Sequence, residues 1–167
     1  MRKHLSGFTL IEILIVIVII SIVSGVSLLT LNANQRKQWE SSVRKLSSLI
    51  TLAAQEAMLK PETLGLAFTA NAYQFFRFQK NQAEETSPWI PLEDKNLRPQ
   101  FFPGNTHITL KIDGKEVPLE GQPQIIIAED GELTPFTLYI GKIGEEPSYE
   151  LSGKASGEVT YDMYHAK

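Results

Sequence analysis

Between Phe8 and Leu31 the chain carries one ionisable side chain, Glu12, in a run otherwise dominated by Ile, Val and Leu. Roughly 20 apolar residues suffice to cross a bilayer core as a helix. A run of this length therefore needs lipid or other helices around it, and the remainder of the chain must be organised from its end. An ordinary signal anchor and a cleaved signal peptide are the simplest readings. Secretory apolar regions run to only about 7 to 15 residues before a small-x-small cleavage site. This run is longer, and Gly25-Val26-Ser27 is where such a site would fit. Neither reading accounts for Glu12. A carboxylate near the centre of a span costs about 2.5 to 3.5 kcal/mol and calls for a partner or a task, whereas one nearer the edge can reach the interface. Residue type alone leaves both open.

Helical periodicity continues beyond the apolar run. Trp39, Val43, Leu46, Ile50, Ala53 and Ala57 recur every three or four residues and draw one stripe along a helix, with Lys45, Gln55 and Glu56 off it. Pro61 disfavours helix in the residue before it and has no N–H to donate, so the helix should end near Lys60. Residues 8–59 as one helix would measure about 78 Å at 1.5 Å per residue. A small domain cannot enclose that length, so only the second half can lay its stripe on a domain.

Past Pro61 the period shifts toward two. Residues 66–68 and the aromatic-rich 73–78 read as strands, residues 81–87 as a polar loop, and residues 93–105 as largely irregular around Pro99, Pro103 and Gly104. Residues 107–112 alternate apolar with polar before Asp113-Gly114, the pair a tight type I′ hairpin prefers, and residues 115–119 return. Residues 124–128 form a short apolar strand expected to be buried on both faces. Asp130-Gly131 then turns the chain into residues 136–140, and residues 149–151 and 159–163 supply two last strands. The fold class is α+β: a long N-terminal helix, part transmembrane and part amphipathic, packed on an antiparallel sheet or sandwich-like domain.

Little in the composition points to chemistry. A net charge of -3 leaves no electrostatic footprint for nucleic acid, and the absence of cysteine excludes disulfides and thiol catalysis. His4, His107 and His165 have no ligand-like neighbours at short spacing. No nucleophile elbow, phosphate loop or zinc-protease helix signature occurs. The carboxylates at Glu129, Asp130 and Glu132, and at Glu145 and Glu146, lack the spacing of a calcium loop and read as solvated turns. No catalytic, cofactor or metal site is expected. Charge does not settle orientation either, because Arg2 and Lys3 precede the run while Arg36, Lys37, Arg44 and Lys45 follow it.

The leader narrows this. A basic Met1-Arg2-Lys3-His4 leads to Gly7, then Phe8, then Glu12 four residues on, then unbroken apolar sequence. This closely resembles the leader of type IV prepilins and type II secretion pseudopilins. The resemblance implies that a prepilin peptidase cuts between Gly7 and Phe8 on the cytoplasmic side and methylates the Phe8 amine. Such amines titrate near 7.7 to 8.0 and stay mostly cationic at neutral pH. Glu12 then has a charge partner at membrane depth, either its own Phe8 amine or, as the resemblance favours, that of a neighbouring subunit.

A narrower resemblance covers the rest of the chain. Leu64-Gly65-Leu66, Tyr73-Gln74-Phe75-Phe76, Trp89-Ile90-Pro91-Leu92, Leu97-Arg98-Pro99 and above all Gly131-Glu132-Leu133-Thr134-Pro135-Phe136 are similar to the H-type minor pseudopilins of the type II secretion system. The flank departs from that pattern: where an aromatic and a proline are frequent, this chain has Ile127-Ala128-Glu129-Asp130. Structure alone also explains the motif's residues, with Gly131 permitting positive φ, Pro135 confined to an edge, bulge or strand start, Phe136 in the core and Glu132 solvated. A contact surface for a neighbouring subunit is the alternative role.

The resemblance implies a leader at 1–7, a transmembrane and assembly half-helix at 8–31, an amphipathic half at 32–60 and a periplasmic β-rich domain at 61–167. It implies a single-pass protein of the bacterial inner membrane with a cytoplasmic N-terminus. The expected partners are the lipid bilayer, the prepilin peptidase, the inner-membrane assembly platform, the major pseudopilin and the other minor pseudopilins. The expected role is a non-enzymatic subunit near the tip of a periplasmic pseudopilus that supports export of folded proteins. The alternatives are a minor pilin of a type IV pilus and, in a different class, a signal-anchored periplasmic enzyme or ligand-binding domain.

Overall fold

The computed structural model describes residues 10–79 and 88–166, and of residues 23–35 the backbone alone. The expected loop at 81–87 and the leader residues Gly7 and Phe8 lie outside the described residues. Helix α1 spans Leu10–Leu59. By internal contacts the chain divides into two units, Met1–Lys37 and Gln38–Lys167. The second begins one residue before Trp39, the first member of the apolar stripe.

In the second unit the stripe is the helical wall of the core. Trp39, Val43, Leu46, Ile50, Ala53 and Ala57 are all buried, joined by Ala54. The helix stops where Pro61 requires it to, its last turn closing with the Lys60 N–H donating to the Glu56 carbonyl at 2.9 Å.

Among the described residues ten strands follow: β1 Leu64–Phe68, β2 Ala72–Phe78, β3 Trp89–Pro91, β4 Gln100–Phe101, β5 Thr106–Ile112, β6 Lys115–Val117, β7 Ile125–Ile127, β8 Phe136–Lys142, β9 Pro147–Gly153 and β10 Val159–Met163. They form two five-stranded sheets, one ordered β3-β2-β1-β7 with β4 also on β2, the other ordered β10-β9-β8-β5-β6. All pairings are antiparallel. Both sheets and the helix contribute to one core, in which Phe68, Phe75, Leu66, Leu110, Leu138, Ile140 and Leu151 are fully buried. Each such side chain contributes about 1.5 to 3 kcal/mol by leaving water.

The β5–β6 hairpin has the turn its sequence demands, with φ of +51° at Asp113 and +74° at Gly114. Two segments differ from the expectation. Residues 124–128 do not make a strand buried on both faces: β7 is an edge strand of its sheet, with Ile125 and Ile127 buried and Ile126 half-buried. On the neighbouring β1, Pro123 and Trp89 close over Gly65, the register partner of Ile126. β1, by contrast, is buried at all five residues: Leu64, Leu66 and Phe68 belong to the core, and Gly65 lies under those two side chains. The irregular stretch near Pro99 also contains the short β4, whose two residues pair with Ala72 and Tyr73.

Candidate assembly surfaces

In the first unit Glu12 lies in the first described turn of α1. Every residue from 10 to 22 is exposed, including Leu10 at 85% and Ile19 at 54%. A helix that is apolar all round is one built for burial, whether in a bilayer or among other helices. Among the described residues no helix is long and apolar enough to cross a membrane. The side chains described there end at Ile22, short of the roughly 20 residues a bilayer core requires. Gly7 and Phe8, the expected cleavage and methylation positions, lie outside the described residues, so Glu12 alone of the three is placed.

In the second unit the Gly131–Phe136 motif is a crossing between the two sheets. Gly131 takes φ +84° and its N–H closes a turn onto the Ala128 carbonyl at 2.9 Å. The Ala128 N–H donates to the Glu132 carbonyl, and the Glu132 N–H to Asp130 Oδ1, while the Glu132 side chain is exposed. Thr134 uses both its backbone and its side chain on the edge of β7. Its N–H donates to the Ile126 carbonyl at 2.9 Å, and its Oγ1 accepts from the Ile126 N–H at 3.1 Å. Pro135, which lacks an N–H, sits immediately before β8, and Phe136 enters the core at 4% exposure.

The same segment is held from two further sides. The Leu133 N–H donates to the Ala155 carbonyl, and a Cβ added at Gly157 would fall 2.9 Å from the Gly131 carbonyl oxygen, so the β9–β10 loop rides on the motif. A Cβ at Gly131 itself would fall 2.9 Å from Met58 Sδ, which places the end of α1 against the turn. Structural duty thus accounts for Gly131, Thr134, Pro135 and Phe136.

Sequence reasoning missed several ties. The Trp39 Nε1–H donates to Thr106 Oγ1 at 3.0 Å, and this pair is buried. Lys45 donates to Gln100, and Arg44 donates to the Tyr161 hydroxyl at 3.1 Å while pairing with Glu40 at 2.7 Å. The Tyr161 hydrogen bond, with Glu40 second, holds the Arg44 guanidinium above its ordinary range. Gly153 faces Phe136 across β8 and β9, and a Cβ there would fall 2.2 Å from the ring. A glycine inside a strand pattern is the signal for such a close approach. Among the described residues no group of three or more histidines and carboxylates is placed to hold a metal.

Residues 2–28 match the family described as "Prokaryotic N-terminal methylation motif". A type II secretion system protein H of Pseudomonas aeruginosa is 32% identical over 154 residues, covering 84% of this chain and 85% of that protein. The chain belongs to the type II secretion system protein H family. The fold agrees. The crystal structure of the minor pseudopilin EpsH from the type II secretion system of Vibrio cholerae superposes with a TM-score of 0.65 at 19% identity, covering 78% of this chain and 97% of that one. A type IV minor pilin, FimU of Pseudomonas aeruginosa, is more distant, with a TM-score of 0.51 at 16% identity, covering 76% of this chain and 90% of that one. The α+β architecture of this family member is therefore the pilin-like one.

Proposed function

We propose that this member of the protein H family is a minor pseudopilin, a structural rather than catalytic subunit near the tip of the periplasmic pseudopilus. The observation that carries the reading is the methylation motif at residues 2–28 on a chain that is 32% identical to a type II secretion protein H over most of both lengths. Residues 1–7 are the leader, removed between Gly7 and Phe8. Residues 8–31 are the transmembrane and assembly half of the helix, residues 32–60 the amphipathic half, and residues 61–167 the periplasmic domain. The processed chain waits in the inner membrane with its N-terminus cytoplasmic. The assembly platform then moves it into the filament, beside the major pseudopilin and the other minor ones.

Glu12 supports assembly through charge. A carboxylate in an apolar helix is costly alone and is stabilised by a cation at the same depth. The N-methylated Phe8 amine of a neighbour supplies one. The mechanism is mechanical: exposed apolar side chains of residues 10–22 exchange lipid for neighbouring helices, and Glu12 fixes the axial register.

Intact mass and N-terminal sequencing of the chain from its native membrane provide the test, with N-methylated Phe8 expected as the first residue. A chain that keeps Met1, or begins after Ser27, would refute it. Glu12→Gln should still be processed and folded but should fail to co-purify with the other pseudopilins and to support secretion. Full secretion by that variant removes the charge from the mechanism.

A further inference from the structure

We propose that Arg36 and Lys37 form a binding site for the phosphates of anionic phospholipids at the outer face of the inner membrane, tethering the processed chain until it is drawn into a filament. The inference rests on the processing and membrane insertion proposed above. Its starting point is a contrast among the basic residues of α1. Arg44 is engaged by Glu40 and Tyr161, and Lys45 by Gln100. Arg36 and Lys37 are both exposed, and among the described residues neither takes part in an ion pair or a side-chain hydrogen bond.

Their position along the helix is the second observation. The backbone is helical from Leu31, the end of the apolar run, through Lys37. Arg36 therefore lies about 7.5 Å beyond Leu31 at 1.5 Å per residue. A bilayer is about 40 to 45 Å thick with headgroups and about 30 Å without, which leaves roughly 5 to 8 Å per side. That puts Arg36 at the outer edge of the headgroup layer and Lys37, about 9 Å beyond Leu31, just past it. Their long flexible stems can fold back along apolar surface and bring the charged heads to the phosphates.

Processing sharpens the consequence. Arg2 and Lys3 lie in the segment removed before Phe8, so Arg36 and Lys37 become the first basic side chains of the mature chain. The precursor has cations on both sides of its span. The mature chain keeps only its terminal amine inside, and its strongest attraction to lipid headgroups moves to the outer side. Anionic surfaces attract basic residues beside a span by an amount that corresponds to about fivefold in binding per residue, or roughly 20- to 30-fold for a pair. The tether is strong enough to hold a waiting subunit at fixed depth and weak enough to be broken one residue at a time.

The test uses the processed full-length chain in neutral detergent. It is titrated with phosphatidylglycerol or phosphatidylcholine, and bound lipid is counted by native mass spectrometry. Arg36→Gln and Lys37→Gln, singly and together, are compared with Lys60→Gln, another exposed cation but distant in sequence from the apolar run. The expected result is a preference for phosphatidylglycerol that falls about fivefold in each single variant and roughly 20- to 30-fold in the double one. Lys60→Gln should keep the preference, and excess inorganic phosphate should not displace the lipid. An unchanged preference in the double variant, an equal loss in Lys60→Gln, or displacement by inorganic phosphate each overturns the lipid site. Vesicle insertion separates the two layers of the argument. A chain that enters vesicles but ignores lipid charge refutes this site alone, whereas one that enters none refutes the membrane reading with it.

Discussion

Gly131→Ala separates backbone strain from contact at the motif that joins the sheets. Gly131 has φ +84°, and a non-glycine residue in the left-handed region pays about 1 to 2 kcal/mol. The new Cβ would also fall 2.9, 3.1 and 3.2 Å from Met58 Sδ, Cγ and Cε. Met58 is half exposed at 50% and its unbranched side chain can swing away, so that contact costs only an off-rotamer penalty of about 0.5 to 1 kcal/mol. The sum is about 1.5 to 3 kcal/mol. At roughly 3 to 5 °C per kcal/mol for a unit of this size, Tm should fall by about 5 to 15 °C. The assay is thermal unfolding of the full chain in detergent, followed by tryptophan fluorescence. Met58→Ala removes the contact but not the φ requirement, so the double variant should recover about 0.5 to 1 kcal/mol relative to additivity. An unchanged Tm in Gly131→Ala would refute the conformational argument, and strict additivity with Met58→Ala would refute the contact.

Gly153→Ala should destabilise by about 1 to 3 kcal/mol in the same assay, because its Cβ would meet the Phe136 ring at 2.2 Å and the ring is buried on all sides. A loss no greater than that of Gly104→Ala, where the added Cβ meets nothing within 4 Å, would contradict the packing. Trp39→Phe removes the 3.0 Å hydrogen bond to Thr106 and part of a buried ring, and should cost about 1 to 3 kcal/mol in chemical denaturation. Burial pushes the Tyr73 phenol well above its ordinary value. Its proton is held in the folded state after the unfolded chain has lost it, so its contribution is full below about pH 10 and falls as pH rises beyond, by up to about 1.4 kcal/mol per pH unit. Stability measured between pH 9 and 11 should drop less steeply in Tyr73→Phe than in the parent chain.

The helical half of the domain was legible because its signal is local and redundant: six stripe residues at three- and four-residue spacing are all buried, and Pro61 marks the end. The β5–β6 hairpin was legible for the same reason, since Asp113-Gly114 specifies both left-handed residues of the turn. What misled was β7. Its apolar run reads as buried on both faces, whereas Ile126 is only half-buried, and three successive isoleucines do not say how far the second face is covered. The Trp39–Thr106 and Arg44–Tyr161 bonds were invisible for another reason: they join residues 67 and 117 positions apart, with no periodic pattern between them. The Gly131–Phe136 segment was recognised by resemblance before its work was apparent. Its glycine and proline announced a turn and a strand start, whereas the two hydrogen bonds between Thr134 and Ile126 depend on where the edge of β7 comes to lie.

The two units satisfy their apolar residues by opposite means. From Gln38 onward, the stripe of α1 and the inner faces of both sheets close on one another, and no side-chain nitrogen or oxygen among the described residues is buried without a partner. From residue 10 to 22 the large apolar side chains remain exposed, Leu10 at 85% and Ile22 at 62%. Hydrophobic side chains in this number cannot stay in water without association. The first unit is therefore incomplete by itself, and whatever completes it must tolerate Glu12. Under the proposed assembly, a neighbouring helix supplies the apolar contact and, once processed as proposed, a cation at that depth. On that reasoning replacing Glu12 by glutamine should weaken assembly while leaving the Tm of the second unit unchanged, because none of that unit's core residues lies in the first described turn of α1.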